Sequence, residues 1–233
     1  MFPLRDNIPS RTYPLVTNAL IWLNIIVFVY EVSLGEGLQR FITSYGLVPA
    51  QVTGHAAPGP LGTIAPYFTS MVLHGGWFHV LGNVWFLWLF GDNVEDRLGH
   101  LRFLWFYVFA GLIAGLAHVL SGPESMVPTI GASGAIAGVL GAYLALYPRA
   151  KVATVLWLGL LIDVIELPAV TFLGIWFVMQ LVPGLLSASL GQVGGVAWWA
   201  HIGGFAAGYA FIRLLCRNCA LERHPVETRP YHR

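Results

Sequence analysis

The sequence predicts an all-α membrane protein: six transmembrane helices with a long outer loop after the first. Three observations lead there. Of 233 residues, 57% are hydrophobic and 10% are charged, against about 25% charged in an ordinary soluble domain. Uncharged stretches long enough to cross a bilayer, which takes about 20 apolar residues, recur along the chain. With six spans, eleven of the twelve basic residues fall on one side and only Arg40 on the other. Lys and Arg mark the cytoplasmic face, so both termini are expected in the cytoplasm.

The first span occupies residues 12–30, between Arg11 and Glu31. It is too long for the apolar region of a signal peptide, and no small-residue cleavage site clearly follows it, so it reads as a retained span. "GLVPAQVTGHAAPGPLGTIAP" is rich in Pro and Gly and belongs to the outer loop of residues 35–66. Residues 67–90 form the second span, 103–120 the third, and 133–147 a short fourth that opens on "GAS". Residues 152–162 are apolar but bounded by Lys151 and Asp163, which predicts an interfacial segment and not a seventh span. The stretch 167–212 is broken by Pro183-Gly184 and by "GQVGG", so it holds two spans, 167–183 and 196–214. The expected organisation is a cytoplasmic segment 1–14, a six-span unit 15–216 and a cytoplasmic tail 217–233. No nucleic-acid partner is expected.

Polar groups inside a membrane are costly and raise a functional hypothesis by default. In "HGGWFHVLGN", His79 and Asn83 are four residues apart and share one helical face. His74 lies earlier on the same predicted span and reads by itself as an anchor. Ser133 alone would be expected to back-bond to a carbonyl or to pack a helix contact. His201 in "AHIGGFAAG" alone would read as structural. His118 stands by itself at the end of the third span and reads as interfacial. Cys216 and Cys219 form a CxxC, but the histidines after it lack regular zinc spacing, so no metal site is expected.

Gly134 and Gly138 are four residues apart, as are Gly204 and Gly208. Such small-xxx-small faces let membrane helices approach closely. Packing of the fourth span on the sixth would bring Ser133 to His201. Ser133 also opens its helix, where backbone N–H groups lack intrahelical acceptors and favour developing negative charge. With His79 and Asn83 as donors, the parts of an acyl-transfer site are present: nucleophile, base and oxyanion donors.

In these three motifs, taken in order on the second, fourth and sixth spans, the chain resembles the rhomboid intramembrane serine proteases over roughly residues 15–215. The resemblance implies a six-helix rhomboid-like bundle and a dyad with Ser133 as nucleophile and His201 as base. It implies an oxyanion hole from His79, Asn83 and the Ser133 N–H, with Gly131, Gly134 and His74 in support. It further implies substrates that are transmembrane segments of other proteins, and neither metal nor organic cofactor. Asp163 and Glu166 receive no catalytic role. Two features depart from some bacterial members. The first loop lacks a Trp-Arg pair, since Arg40 follows Gln39, and the position four after the nucleophile is Ala137 and not tyrosine. The second leaves open what holds the His201 ring.

Hydrolysis there requires an outward, water-filled cavity, which Ser133, His74, His79, Asn83 and His201 are expected to face. The "VPTIGAS" approach would be the irregular backbone such a cavity tolerates. The fifth span and "GQVGG" are the expected gate. The competing readings are an inactive helix-binding scaffold of the same family and a small-molecule transporter. The first is disfavoured because the chain keeps both serine and histidine, the second because the chain lacks two similar halves.

Overall fold

The computed structural model describes residues 1–159, 161–189 and 196–215. Strand β1 (Phe2–Asp6) leads into α1 (Leu15–Ser33). The outer loop carries a 3-10 turn at Gly35–Gly37, α2 (Leu38–Tyr45) and α3 (Pro49–Val52). Then come α4 (Pro66–Thr69), a second 3-10 turn at Ser70–Val72, α5 (Trp77–Leu98), α6 (His100–Ser121) and α7 (Ser133–Leu146). Strands β2 (Lys151–Leu158) and β3 (Leu161–Pro168) precede α8 (Ala169–Ser189) and α9 (Trp198–Leu215). The bundle is made by α1 and α5–α9, in the order of the six expected spans. Three of these, α1, α6 and α8, are long and apolar enough by composition to cross a membrane. Helices α5 and α9 are more polar because they carry His79, Asn83 and His201, together with Asp92, Glu95 and Arg213 near their ends.

Two helix ends differ from expectation. Helix α5 starts at Trp77, ten residues after the expected 67, because Pro66 opens a separate short turn and Gly76 (φ +155) breaks the path. His74 therefore precedes the helix and is not on it. Helix α8 runs through Pro183 to Ser189. Proline removes one intrahelical bond, but without competing water the rest of the helix holds. The described residues of 152–162 are not a spanning helix; they belong to β2 and the start of β3, which pair as antiparallel neighbours with Leu158 opposite Leu161. The N-terminal strand completes a three-stranded antiparallel sheet in the order β1-β2-β3. This sheet was not foreseen, because strand pairing between residues 2–6 and 152–155 leaves no local periodicity.

Helix α7 is the centre of the bundle: every residue from Gly134 to Tyr143 is buried. It packs between α6 and α9 at backbone contact. A Cβ on Gly208 would stand 1.9 Å from the Gly138 carbonyl oxygen, and one on Gly204 would stand 2.0 Å from that of Gly134. On the other side, Cβ atoms on Gly134 and Gly138 would meet Ala114 and Ala110 of α6 at 2.6 and 2.4 Å. The glycines of α9 thus receive α7, while those of α7 serve mainly its approach to α6.

The far end of α7 is tied to the N-terminus. The Tyr143 hydroxyl donates to Asp6, whose carboxyl burial pushes up to about 7 despite that bond. The Trp85 indole N–H donates to the Pro3 carbonyl at 2.7 Å. Glu95, fully buried, accepts the Val16 and Thr17 N–H groups at 2.8 and 2.7 Å and so satisfies the start of α1.

Candidate active site

At 14 residues, α7 is about 21 Å long, shorter than the ~30 Å hydrocarbon layer. Its first residue is therefore reached by non-helical chain, residues 127–132. That chain is pinned by the outer loop: Leu47 and Thr129 exchange both backbone hydrogen bonds, at 3.0 and 2.8 Å. Leu47, Val48 and Ala50 are buried, so this part of the loop is a packed wedge. The Gly131 N–H donates to the Ser70 carbonyl at 2.9 Å.

Ser133 Oγ lies 2.8 Å from His201 Nε2. The serine is the first residue of α7, so its N–H has no intrahelical acceptor. His201 Nδ1 lies 2.8 Å from Gln180 Oε1, an α8 side chain that is 8% exposed. The Trp176 and Trp198 rings stand 6.1 and 6.4 Å from the imidazole. Together with Gln180 they hold the ring that Ala137 cannot touch with an aromatic face. Gln180 was missed from the sequence, although a single amide in the apolar run "IWFVMQLV" was the signal that could have found it.

His79 Nδ1 accepts the Gly75 N–H at 3.3 Å. A neutral ring so bonded carries its proton on Nε2. That nitrogen faces Gly131: a Cβ there would lie 2.7 Å from His79 Nε2 and 3.4 Å from Ser133 Oγ. Gly131, at φ +127, is therefore required by backbone conformation and by the space between these two side chains. Gly134 sits one residue beyond the serine, where α6, α7 and α9 converge.

Asn83 is buried, and its Nδ2 donates to the His79 carbonyl at 3.0 Å. His74 is 1% exposed, its N–H donates to both Glu31 carboxylate oxygens at 3.2 and 3.1 Å, and its ring stands edge-on to His79 at 5.2 Å.

A cavity of about 620 Å³ opens at the start of α7. Ser133, His201 and His79 line it, with Phe78, Trp198 and Trp199 supplying apolar walls. Asn83 and His74 lie outside its lining, contrary to expectation: both are buried, Asn83 on α5 and His74 in the segment before the helix starts at Trp77. His118, expected to be merely interfacial, does line it. The "GQVGG" part of the expected gate, the CxxC and the tail lie outside the described residues. No cluster of three or more metal-ligating side chains occurs among the described residues.

The apolar helices define the class as a multi-pass membrane protein, one that holds a serine hydroxyl against an imidazole in the lining of a cavity. The comparisons narrow this. The Rhomboid domain matches residues 62–218, and the chain belongs to the rhomboid family. It is 32% identical over 151 residues to the putative rhomboid protease YdcA of Bacillus subtilis, covering 62% of this chain and 69% of that one. It is 34% identical over 132 residues to the rhomboid protease GluP of the same organism, covering 56% of this chain but only 24% of that one. It is 29% identical over 142 residues to the human mitochondrial presenilin-associated rhomboid-like protein, covering 58% and 34%.

Proposed function

We propose that this protein is an intramembrane serine endopeptidase that cleaves peptide bonds in or next to transmembrane segments of other membrane proteins. The observation that carries the reading is the 2.8 Å contact of Ser133 Oγ with His201 Nε2 in the lining of a cavity. In the first step His201 Nε2 takes the Ser133 proton as Oγ attacks the scissile carbonyl. The Ser133 N–H and His79 Nε2–H stabilise the oxyanion, with Asn83 in the same role or holding the His79 backbone. The imidazolium then gives its proton to the leaving amine. Water, activated by the same nitrogen, hydrolyses the acyl-enzyme. The cavity supplies that water, and its apolar rim accepts a lipid-borne chain.

A transmembrane helix hides its peptide bonds, so the substrate must unwind before attack. Segments with Gly or Pro near the outer face are the preferred substrates. The protein works without metal or organic cofactor, in a bacterial inner membrane with both termini in the cytoplasm, the orientation that the basic residues favour.

The test is cleavage of a single-pass substrate by purified protein in detergent or liposomes. The wild type cuts near the outer end of the segment, and Ser133→Ala does not. Equal cleavage by both, or none by either across several helix-breaking substrates, would refute the reading and favour the scaffold or the transporter.

A further inference from the structure

We propose that Gln180 is a positioning residue for the reaction. By accepting a hydrogen bond from His201 Nδ1–H, it holds the imidazole in the one neutral tautomer that can take the Ser133 proton. The inference rests on the protease reading for its consequence, but on geometry for its substance.

Each His201 ring nitrogen has a side-chain hydrogen-bond partner: Gln180 Oε1 at Nδ1 and Ser133 Oγ at Nε2, both at 2.8 Å. A neutral imidazole has one proton to place. The orientation of the Gln180 amide decides where it goes. Its Nε2 donates to the Trp176 carbonyl one turn earlier at 3.3 Å, which turns Oε1 toward the histidine. An amide oxygen only accepts, so the proton sits on Nδ1. The lone pair is then on Nε2, pointing at the serine hydroxyl. With the amide flipped, its NH₂ would face His201 and its oxygen would meet the Trp176 carbonyl, two acceptors in contact with no proton between them. Gln180 is buried, so a water cannot readily take over its task.

The arrangement also accounts for an amide inside the membrane. Gln180 lies in the run 172–182, where every other residue is apolar. An unpaired amide there would be costly, and this one has both ends bonded. A carboxylate in its place would hold the tautomer and also stabilise the imidazolium. The neutral amide supplies orientation with little charge stabilisation, so its removal costs less than loss of a triad carboxylate.

Three measurements test this. Nitrogen chemical shifts of ¹⁵N-histidine protein, with His201 assigned by difference against His201→Asn, should show Nδ1–H in the wild type. Gln180→Leu should lose that preference. Its rate of labelling by a fluorophosphonate should fall about tenfold, the scale of one buried hydrogen bond, with the KM for a cleaved substrate unchanged. Gln180→Glu should restore labelling and move the acid limb of its pH profile upward by about one unit, because a carboxylate partner favours the imidazolium.

An Nε2–H tautomer in the wild type would overturn the proposal, as would Gln180→Leu labelling at the wild-type rate with an unchanged pH profile. If Gln180→Leu does not fold, the wild-type tautomer and the Gln180→Glu pH profile decide. The tautomer is read without turnover, so a failure of Gln180 is distinct from a failure of the protease reading, in which the wild type itself would not label.

Discussion

The Gly75 N–H leaves His79 with its proton on Nε2, and a side chain at Gly131 would crowd both that nitrogen and Ser133 Oγ. Asn83 is one step removed, with its amide on the His79 carbonyl. The two residues should therefore differ in weight. Loss of one oxyanion donor costs roughly 10²–10³ in rate where the others are weak, and here the Ser133 N–H remains. His79→Ala should lower kcat about 10- to 100-fold and Asn83→Ala by less, both with little change in KM. Steady-state kinetics on a reconstituted substrate would check this, and a pure KM effect would move either residue into substrate binding. Each of Ser133, His201, His79 and Asn83 stands out in the sequence as polar in an apolar span, but it was the paired glycine faces that put Ser133 beside His201, as the 2.8 Å contact has it. Sequence reading misplaced His74 because the histidine spacing looks helical across Gly75-Gly76, and only the φ of Gly76 reveals the break. It passed over Gln180 because an amide shows its purpose only when a partner 21 positions away is brought to it.

Helices α7 and α9 were paired correctly from their glycines, though not in detail. The approach is so close that α9 glycines sit on α7 carbonyls, and even one methyl group at Gly208 would lie 1.9 Å from backbone. Backbone cannot step aside as a flexible side chain can. Gly208→Ala should thus destabilise the protein at the upper end of the ~1–3 kcal/mol range for overpacking and lengthen the Ser133–His201 contact. Thermal unfolding in detergent and turnover would both fall. Gly174, where a Cβ meets nothing within 4 Å, is the control and should tolerate alanine. A Gly208→Ala protein as stable and active as wild type would mean that the α7–α9 contact is looser than described. The sheet lay beyond sequence reading for the opposite reason: β1 and β2 are joined by pairing across about 150 positions, and neither segment announces a partner.

For the whole molecule, composition and the spacing of charge were enough to show a multi-pass membrane protein. The surface agrees with that environment: Trp22, Ile26 and Val29 of α1, and Val178, Val182 and Leu185 of α8, expose large apolar side chains outward. Such faces are costly in water and ordinary in lipid. Less legible was the interior space. A cavity of about 620 Å³ depends on a central helix too short to cross, an outer loop wedged beside it and two tryptophans at the start of α9, and no single segment encodes it. On the proposed reading, this space lets a serine in a membrane meet water and substrate. The central claim is that Ser133 is a nucleophile activated by His201, and covalent labelling tests it most directly. A fluorophosphonate probe should modify the purified wild type at one residue, located by mass spectrometry at Ser133. Ser133→Ala should abolish labelling, and folded His201→Ala should lose most of it, because a serine hydroxyl is a weak nucleophile without its base. An adduct on another serine, no adduct in the wild type, or undiminished labelling in folded His201→Ala would contradict the account.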